Sequence, residues 1–211
     1  MKKITRKKHL EMKLQSIPSH PNPKVGLEQY TTPSIIASDL IWNANSLGDI
    51  ENKNVLDLGC GTGIFTIASA LMGANFSYGV DIDDDSIQLA RTISEKLELG
   101  NVDYVLSDVC DFNNGFDADT IIQNPPFGSQ RRARNGEDLK FVKKARMLKP
   151  SALYSFHMAS TEEFLINFYQ KNGLNITHIF RYNFPIPKIY EFHTKEKQNV
   201  NVIVIRALLD F

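Results

Sequence analysis

A chain of 211 residues, 42% hydrophobic and 23% charged, holds enough apolar sequence for one sizeable core and lacks the polar bias of a disordered segment. Its 24 basic and 24 acidic side chains cancel, and its two cysteines, Cys60 and Cys110, stand far apart with no histidine at ligand spacing. That pattern, with no apolar run near roughly 18 residues, argues against a disulfide framework, a zinc site, secretion and a membrane span, so a single-domain, soluble, cytoplasmic protein without a metal is expected.

Residues 2–17 mix lysine and arginine with Ile4, Leu10, Leu14 and Ile17, which predicts a weakly amphipathic helix stopped by Pro18. After the loop Ser19-His20-Pro21-Asn22-Pro23, the residues Ile36, Leu40, Ala44 and Leu47 recur at helical spacing behind Pro33, a residue suited to a first helical turn. Residues 1–50 therefore read as a helical extension to a core at 51–211. In that core strand and helix alternate. Strands are predicted at 53–58, 76–81, 102–106, 120–122 and 152–157, and helices from Ile64 to Gly73, over 84–98, over 138–148 and through Tyr169. Ser160 and Glu163 have the spacing of a capping box at the start of the last helix. Strands near 174–182 and 200–207 close the chain with no helix between them, so they must pair antiparallel. The expected fold is α/β, a seven-stranded, mostly parallel sheet with helices on both faces and an antiparallel last strand.

Ligands of such sheets sit beyond the strand carboxyl ends, where strand order reverses. Three stretches arrive there. Asp57-Leu58-Gly59-Cys60-Gly61-Thr62-Gly63 runs from a strand into a glycine loop and then a helix, Asp81 ends the next strand at the position from which a carboxylate reaches a ribose diol, and Asp108 lies just beyond the third strand. The loop lacks dinucleotide-binding spacing, and Asp57, read as lying inside the turn, favours a cation over a pyrophosphate, which points to a sulfonium cofactor. The third stretch is Gln123-Asn124-Pro125-Pro126-Phe127-Gly128. Two prolines hold φ at about −65° and force the chain out of the sheet just after Asn124. The Asn124 side-chain oxygen and the Pro125 carbonyl offer two acceptors for the two N–H bonds of an amine or carboxamide, and Phe127 offers a stacking face. A plain turn after a strand uses the same residues, so the clamp gains weight only from its neighbours.

Charge is segregated along the chain. Residues 81–119 carry eleven acidic side chains against Arg91 and Lys96, whereas residues 131–149 carry Arg131, Arg132, Arg134, Lys140, Lys143, Lys144, Arg146 and Lys149 against Glu137 and Asp138. A solvated helix face is the ordinary reading of such a run; its attachment to the clamp favours contact with nucleic-acid phosphates. Tyr182, Phe184, Tyr190 and Phe192, with Lys188, Lys195 and Lys197, fit either core positions or an RNA-stacking flap. His157, His178 and His193 form no spaced set and read as packed or surface histidines, and Lys2, Lys3, Arg6, Lys7 and Lys8 fit a solvated tail or a phosphate arm equally.

Together Asp57 to Gly63, Asp81, Asp108 and Asn124-Pro125-Pro126-Phe127 resemble the class I S-adenosylmethionine-dependent methyltransferases that modify amino groups, which have a Rossmann-like fold. More narrowly, Leu27-Glu28-Gln29-Tyr30-x-Thr32, the Asn124 to Gly128 stretch, Tyr154-Ser155-x-His157 and Tyr190-x-Phe192-His193 are similar to the methyltransferase-like-five family and its archaeal relatives over nearly the whole chain. The resemblance implies N6-methylation of an adenosine in small-subunit ribosomal RNA, with Gln29, Thr32, Gly59, Thr62, Ile64, Asp81 and Asp108 at cofactor positions and residues 1–50 capping the cofactor. It also implies a small zinc-ribbon activator subunit, for which the predicted edge strand 102–106 is the expected docking site, with Val102, Tyr104 and Leu106 as its apolar row; self-pairing into a homodimer is the alternative. This chain departs from the family at Met158, where the family has lysine, and in its arginine-rich loop after Gly128. Two other readings use the same residues: a protein glutamine N5-methyltransferase, because a carboxamide presents the same N–H pair, and a non-catalytic RNA-binding assembly factor.

Overall fold

The computed structural model describes residues 4–20, 23–24, 29–113, 115–126, 136–187 and 197–209. Its elements run α1 (Lys7–Leu14), α2 (Ser34–Ser46), β1 (Asn54–Leu58), α3 (Ile64–Leu71), β2 (Phe76–Asp81), α4 (Asp84–Lys96), β3 (Val102–Leu106), β4 (Thr120–Gln123), α5 (Glu137–Met147), β5 (Ala152–Met158), α6 (Glu162–Lys171), β6 (Leu174–Pro187) and β7 (Lys197–Leu209). The seven strands form one sheet in the order β3-β2-β1-β4-β5-β7-β6, with β1 to β5 parallel and β7 antiparallel to both of its neighbours, as expected of this sequence. No helix among the described residues is long and apolar enough to cross a membrane.

Strand alternation sorts the core into two layers. Val55, Ile122, Tyr154, Phe156 and Val204 pack on one face against α1, α2 and α3, and Leu56, Ile121, Leu153, Ile203 and Ile205 pack on the other against α5 and α6. Every residue of α3 is buried, as its mostly apolar sequence with only the small polar residues Thr66 and Ser69 allows. The α2 end is tied to the last strand: Arg206 donates to both carboxylate oxygens of Asp49 at 2.7 and 3.1 Å, and the Tyr154 hydroxyl donates to the same group at 2.5 Å.

Two expectations are corrected. The Ser160–Glu163 capping box does not form, because β5 turns straight into a 3-10 turn at Ala159–Thr161 and α6 starts only at Glu162; the Thr161 hydroxyl donates back to the Met158 carbonyl at 2.8 Å instead. The apolar row assigned to the edge strand is also wrong in part. β3 does lie at the sheet edge, but Tyr104 is only 2% exposed and turns inward, where its hydroxyl meets Ser94 Oγ at 2.8 Å. A Cβ on Gly79 would approach the Tyr104 ring to 2.5 Å and one on Gly63 would approach its hydroxyl to 2.8 Å, so this ring fills the space those glycines leave. Of the three, Leu106 alone is exposed.

The closing strands are longer than predicted, pairing from Leu174–Leu209 to Pro187–Lys197 with one register shift between Ile176 and His178. Pro185 and Pro187 disguised the extension, since proline is tolerated in a strand only where no partner needs its N–H, as on an edge strand such as β6. Phe127, the arginines at 131, 132 and 134, and the 188–195 part of the aromatic flap lie outside the described residues, as do Lys2, Lys3, Leu27 and Glu28.

Asp57 stands within β1, not in the turn where it was expected. It is 1% exposed, and its Oδ2 accepts from the Thr66 backbone N–H at 3.0 Å and from the Thr66 hydroxyl at 2.8 Å. Gly63, the N-cap of α3, has no side chain to cap with, so this carboxylate satisfies the first turn from below. Its Oδ1 has no partner among the described residues, and burial, opposed by the Thr66 hydrogen bonds, pushes its pKa up to about 7. A folded-state pKa above the unfolded value gives stability that is complete below about pH 4 and lost as pH rises through about 7, a change of roughly 4 kcal/mol. Asp57→Asn removes that dependence. In urea unfolding the variant should gain on the wild type between pH 5 and pH 8 by a few kcal/mol; a constant difference between the two proteins across that range would contradict the assignment.

Candidate active site

The site forms where strand order reverses. β1 and β4 are adjacent and parallel, their helices go to opposite faces, and the register that pairs Leu58 with Gln123 sets Gly59 and Asn124 side by side at the carboxyl edge. A cavity of about 420 Å³ opens above them. Gln29, Thr32, Gly59, Gly61, Thr62, Ile64, Asp81, Asp108, Asn124 and Pro126 line it, so most of the residues singled out from the sequence converge there. Asp57 lies beneath the loop and Pro125 is buried without lining the cavity.

The glycine loop folds on its own strand neighbours. The Gly59 and Cys60 N–H groups both donate to the Val80 carbonyl, at 2.8 and 2.9 Å, and the Gly61 N–H donates to Asp81 Oδ2 at 2.8 Å. Gly61 sits at φ +52° with nothing within 4 Å of where a Cβ would stand. Asp81 Oδ1 accepts from the Asp83 N–H at 2.9 Å, and burial raises its pKa although these two N–H groups pull the other way. Cys60 is buried, and burial together with Asp57 and Asp81 pushes its thiol well above the ordinary range, so it stays neutral and is no nucleophile.

Sequence reading missed the residue that fastens the N-terminal segment over this cavity. Asp83 caps α4 by accepting from the Ser86 N–H and hydroxyl, and it also meets His20 Nε2 at 2.9 Å, the Gln29 amide at 3.0 Å and the Lys24 ammonium. Burial alone would raise this carboxyl, but the Lys24, Ser86, Gln29 and His20 hydrogen bonds outweigh it and hold the pKa well below the usual carboxylate range. An Asp-x-x-Ser N-cap signal was present at 83–86, whereas nothing local revealed that His20, Lys24 and Gln29 converge on it. Phe141 and Lys140 of α5 also line the cavity; the Phe141 ring would lie 3.1 Å from a Cβ on Gly59.

On the opposite wall, the Asn124 amide N–H₂ donates to Thr32 Oγ1 at 3.0 Å, while Asn124 Oδ1 is buried and has no hydrogen-bond partner among the described residues. A buried carbonyl oxygen left unpaired costs about 1–3 kcal/mol, so the fold maintains at this wall an acceptor with its orientation fixed. The residues fit S-adenosylmethionine. The Asp81 carboxylate beside the loop favours a cationic ligand and retains lone pairs for a diol, and Gly61 leaves room for close approach.

A model of the methyltransferase small domain matches residues 36–152. An uncharacterized protein of Methanocaldococcus jannaschii is 40% identical over 213 residues, covering 96% of this chain and 94% of its own. The rRNA N(6)-adenosine-methyltransferase METTL5 of Danio rerio is 36% identical over 202 residues, covering 94% of this chain and 97% of its own. A solved structure from Pyrococcus horikoshii, provisionally described as an RNA methyltransferase, is 35% identical with a TM-score of 0.88 over 99% of this chain and 100% of its own. A glycine loop, the Asp81 carboxylate and an oriented asparagine oxygen in one cavity thus accompany near full-length similarity, and the chain belongs to the methyltransferase small-domain family, among the METTL5-like S-adenosylmethionine-dependent methyltransferases.

Proposed function

We propose that this protein methylates N6 of an adenosine in ribosomal RNA. The observation that carries the reading is Asn124: its amide is held by Thr32 at 3.0 Å, and its Oδ1 is left without a partner among the described residues at the wall of the cavity that Asp81 and the glycine loop share. The placement in small-subunit rRNA rests on the sequence motifs, and a cytoplasmic location agrees with two free cysteines, one buried and one exposed.

An adenine amino nitrogen is a poor nucleophile because its lone pair is shared with the ring. Asn124 Oδ1 and the Pro125 carbonyl each accept one N6–H, which orients the nitrogen and stabilises the positive charge that develops on it. S-adenosylmethionine, when bound, supplies an electrophilic methyl group. The chain contributes chiefly alignment, worth much of the rate in reactions that need no covalent intermediate. Thr32 keeps Asn124 from rotating, Asp81 holds the ribose end, and Phe127 is assigned to stack on the base. Reaching N6 requires an unstacked or single-stranded adenosine.

We assign the open edge of β3 to a small zinc-ribbon activator, on the strength of the family resemblance and an edge with no strand beyond it among the described residues. The inward Tyr104 cannot report on that contact, but Leu106, 51% exposed, can. Leu106→Lys should abolish co-purification with the activator and leave affinity for the methyl donor unchanged; full activity of the wild type alone as a monomer would remove the assignment.

Two measurements test the chemistry. Asn124→Ala is expected to lose about 2.7–4 kcal/mol of transition-state stabilisation, a hundredfold or greater fall in turnover, by analogy with deletion of one oxyanion-hole donor. Nucleoside mass spectrometry of rRNA treated with each protein would show it, and near-wild-type N6-methyladenosine from the variant would end the proposal. Separately, Asp81→Ala and Gly61→Arg should weaken binding of S-adenosylmethionine in calorimetry. Wild-type affinity in both would mean that the donor binds elsewhere.

A further inference from the structure

The sheet face that carries α5 and α6 is mostly apolar, and at the carboxyl ends of β4 and β5 Gln123, Ser155 and His157 stand in it, each fully buried at 0% exposure. Register brings them together. Gln123 pairs with Ser155 across the parallel strands, and His157 follows Ser155 by two on the same face. Tyr169 from α6 and Asp138 from the first turn of α5 complete the group. The Gln123 amide donates to Ser155 Oγ at 2.9 Å, the Tyr169 hydroxyl meets His157 Nε2 at 3.0 Å, and His157 Nδ1 meets Asp138 Oδ2 at 2.9 Å, with Ser155 and His157 two residues apart on one face of β5.

Counting donors gives this chain a direction. A carboxylate only accepts, so Asp138 takes the proton-bearing Nδ1 of His157, whose Nε2 is left to accept from Tyr169. Burial pushes the Tyr169 hydroxyl well above its ordinary pKa and so keeps it a donor. Both of these protons point toward Asp138. Beside this chain on β5, Ser155 Oγ accepts from the Gln123 amide, whose Oε1 has no partner among the described residues. Polar side chains in an apolar layer are a costly way to fill space, since a broken link leaves buried groups unsatisfied. Both sets of contacts adjoin the active site. Asp138 shares the start of α5 with Glu137, Lys140 and Phe141, which line the cavity, and Gln123 immediately precedes Asn124.

We infer that His157 is a positioning residue for methyl transfer, the centre of a directional Tyr169–His157–Asp138 hydrogen-bond chain that locks the α5 wall of the cavity to β5 and α6, where β5 in turn holds, through Ser155 and Gln123, the strand that presents Asn124. The inference rests on Asn124 holding the acceptor group. Tyr169→Phe deletes the hydroxyl that donates to His157 Nε2 and keeps the ring's packing. Its kcat should fall by about tenfold to a hundredfold, as for a small misplacement of reacting groups, with KM for donor and acceptor essentially unchanged. Asp138→Ala should behave alike, and Asp138→Asn, which keeps an acceptor for His157 Nδ1–H, should recover most of the turnover. Wild-type kcat in folded Tyr169→Phe, or equal loss in Asp138→Asn and Asp138→Ala, would overturn the inference. Amide hydrogen exchange along α5 reads the chain without reference to what is methylated: faster exchange in Tyr169→Phe supports it, and unchanged exchange overturns it. A wild type that methylates no adenosine would instead overturn the functional reading and leave the exchange result to decide the chain.

Discussion

The lateral pairing of β1 with β4 is the constraint on which the molecule depends. Once Leu58 is in register with Gln123, the turn after β1 and the exit of the chain after β4 emerge at the same height on adjacent strands, and their helices must diverge to opposite faces. That divergence opens the cavity, because neither helix can cover the crevice between them. The two prolines after Asn124 and the positive-φ glycines after Leu58 are the local means of leaving the sheet abruptly enough to keep the crevice clear.

Three carboxylates around that crevice are placed in three different environments. Asp57 is buried with one oxygen on Thr66 and the other without a partner among the described residues, so its charge is disfavoured near neutral pH. Asp81 is half-buried, accepts two backbone N–H groups and faces the cavity. Asp83, two residues on, accepts from side chains that include an ammonium and stays charged. One carboxylate fastens a helix, one faces the cavity, and one anchors the N-terminal segment over the site. The division follows from how many donors each meets, since burial alone would push all three the same way.

The same reasoning separates the two polar features of β4 and its exit. Asn124 turns to the α2 and α3 side and meets Thr32, whereas Gln123 turns to the α5 and α6 side and meets Ser155. Successive residues of a strand point to opposite faces, so adjoining positions serve separate layers of the protein. The acceptor and its support therefore reach the site from both sides of the sheet.

Much of this was legible in the chain itself. Strand and helix alternation, the Asp57 to Gly63 loop, Asp81 at a strand end and the Asn124-Pro125-Pro126 exit are local patterns, and local pattern suffices where backbone sterics and periodicity decide the outcome. What the tertiary structure decided were matters of facing and long-range meeting. Tyr104 alternates in sequence like an exposed edge residue, yet it turns inward because Gly63 and Gly79 leave a space that its ring enters. Asp57 looked like part of a ligand loop and is instead a cap for α3. Ser160 and Glu163 matched a helix start that the tight turn out of β5 pre-empted. The convergence of His20, Lys24 and Gln29 on Asp83, and of Asp138 and Tyr169 on His157, spans separations of up to 63 residues, and such contacts are set by the packing of whole elements, which no short stretch of sequence encodes.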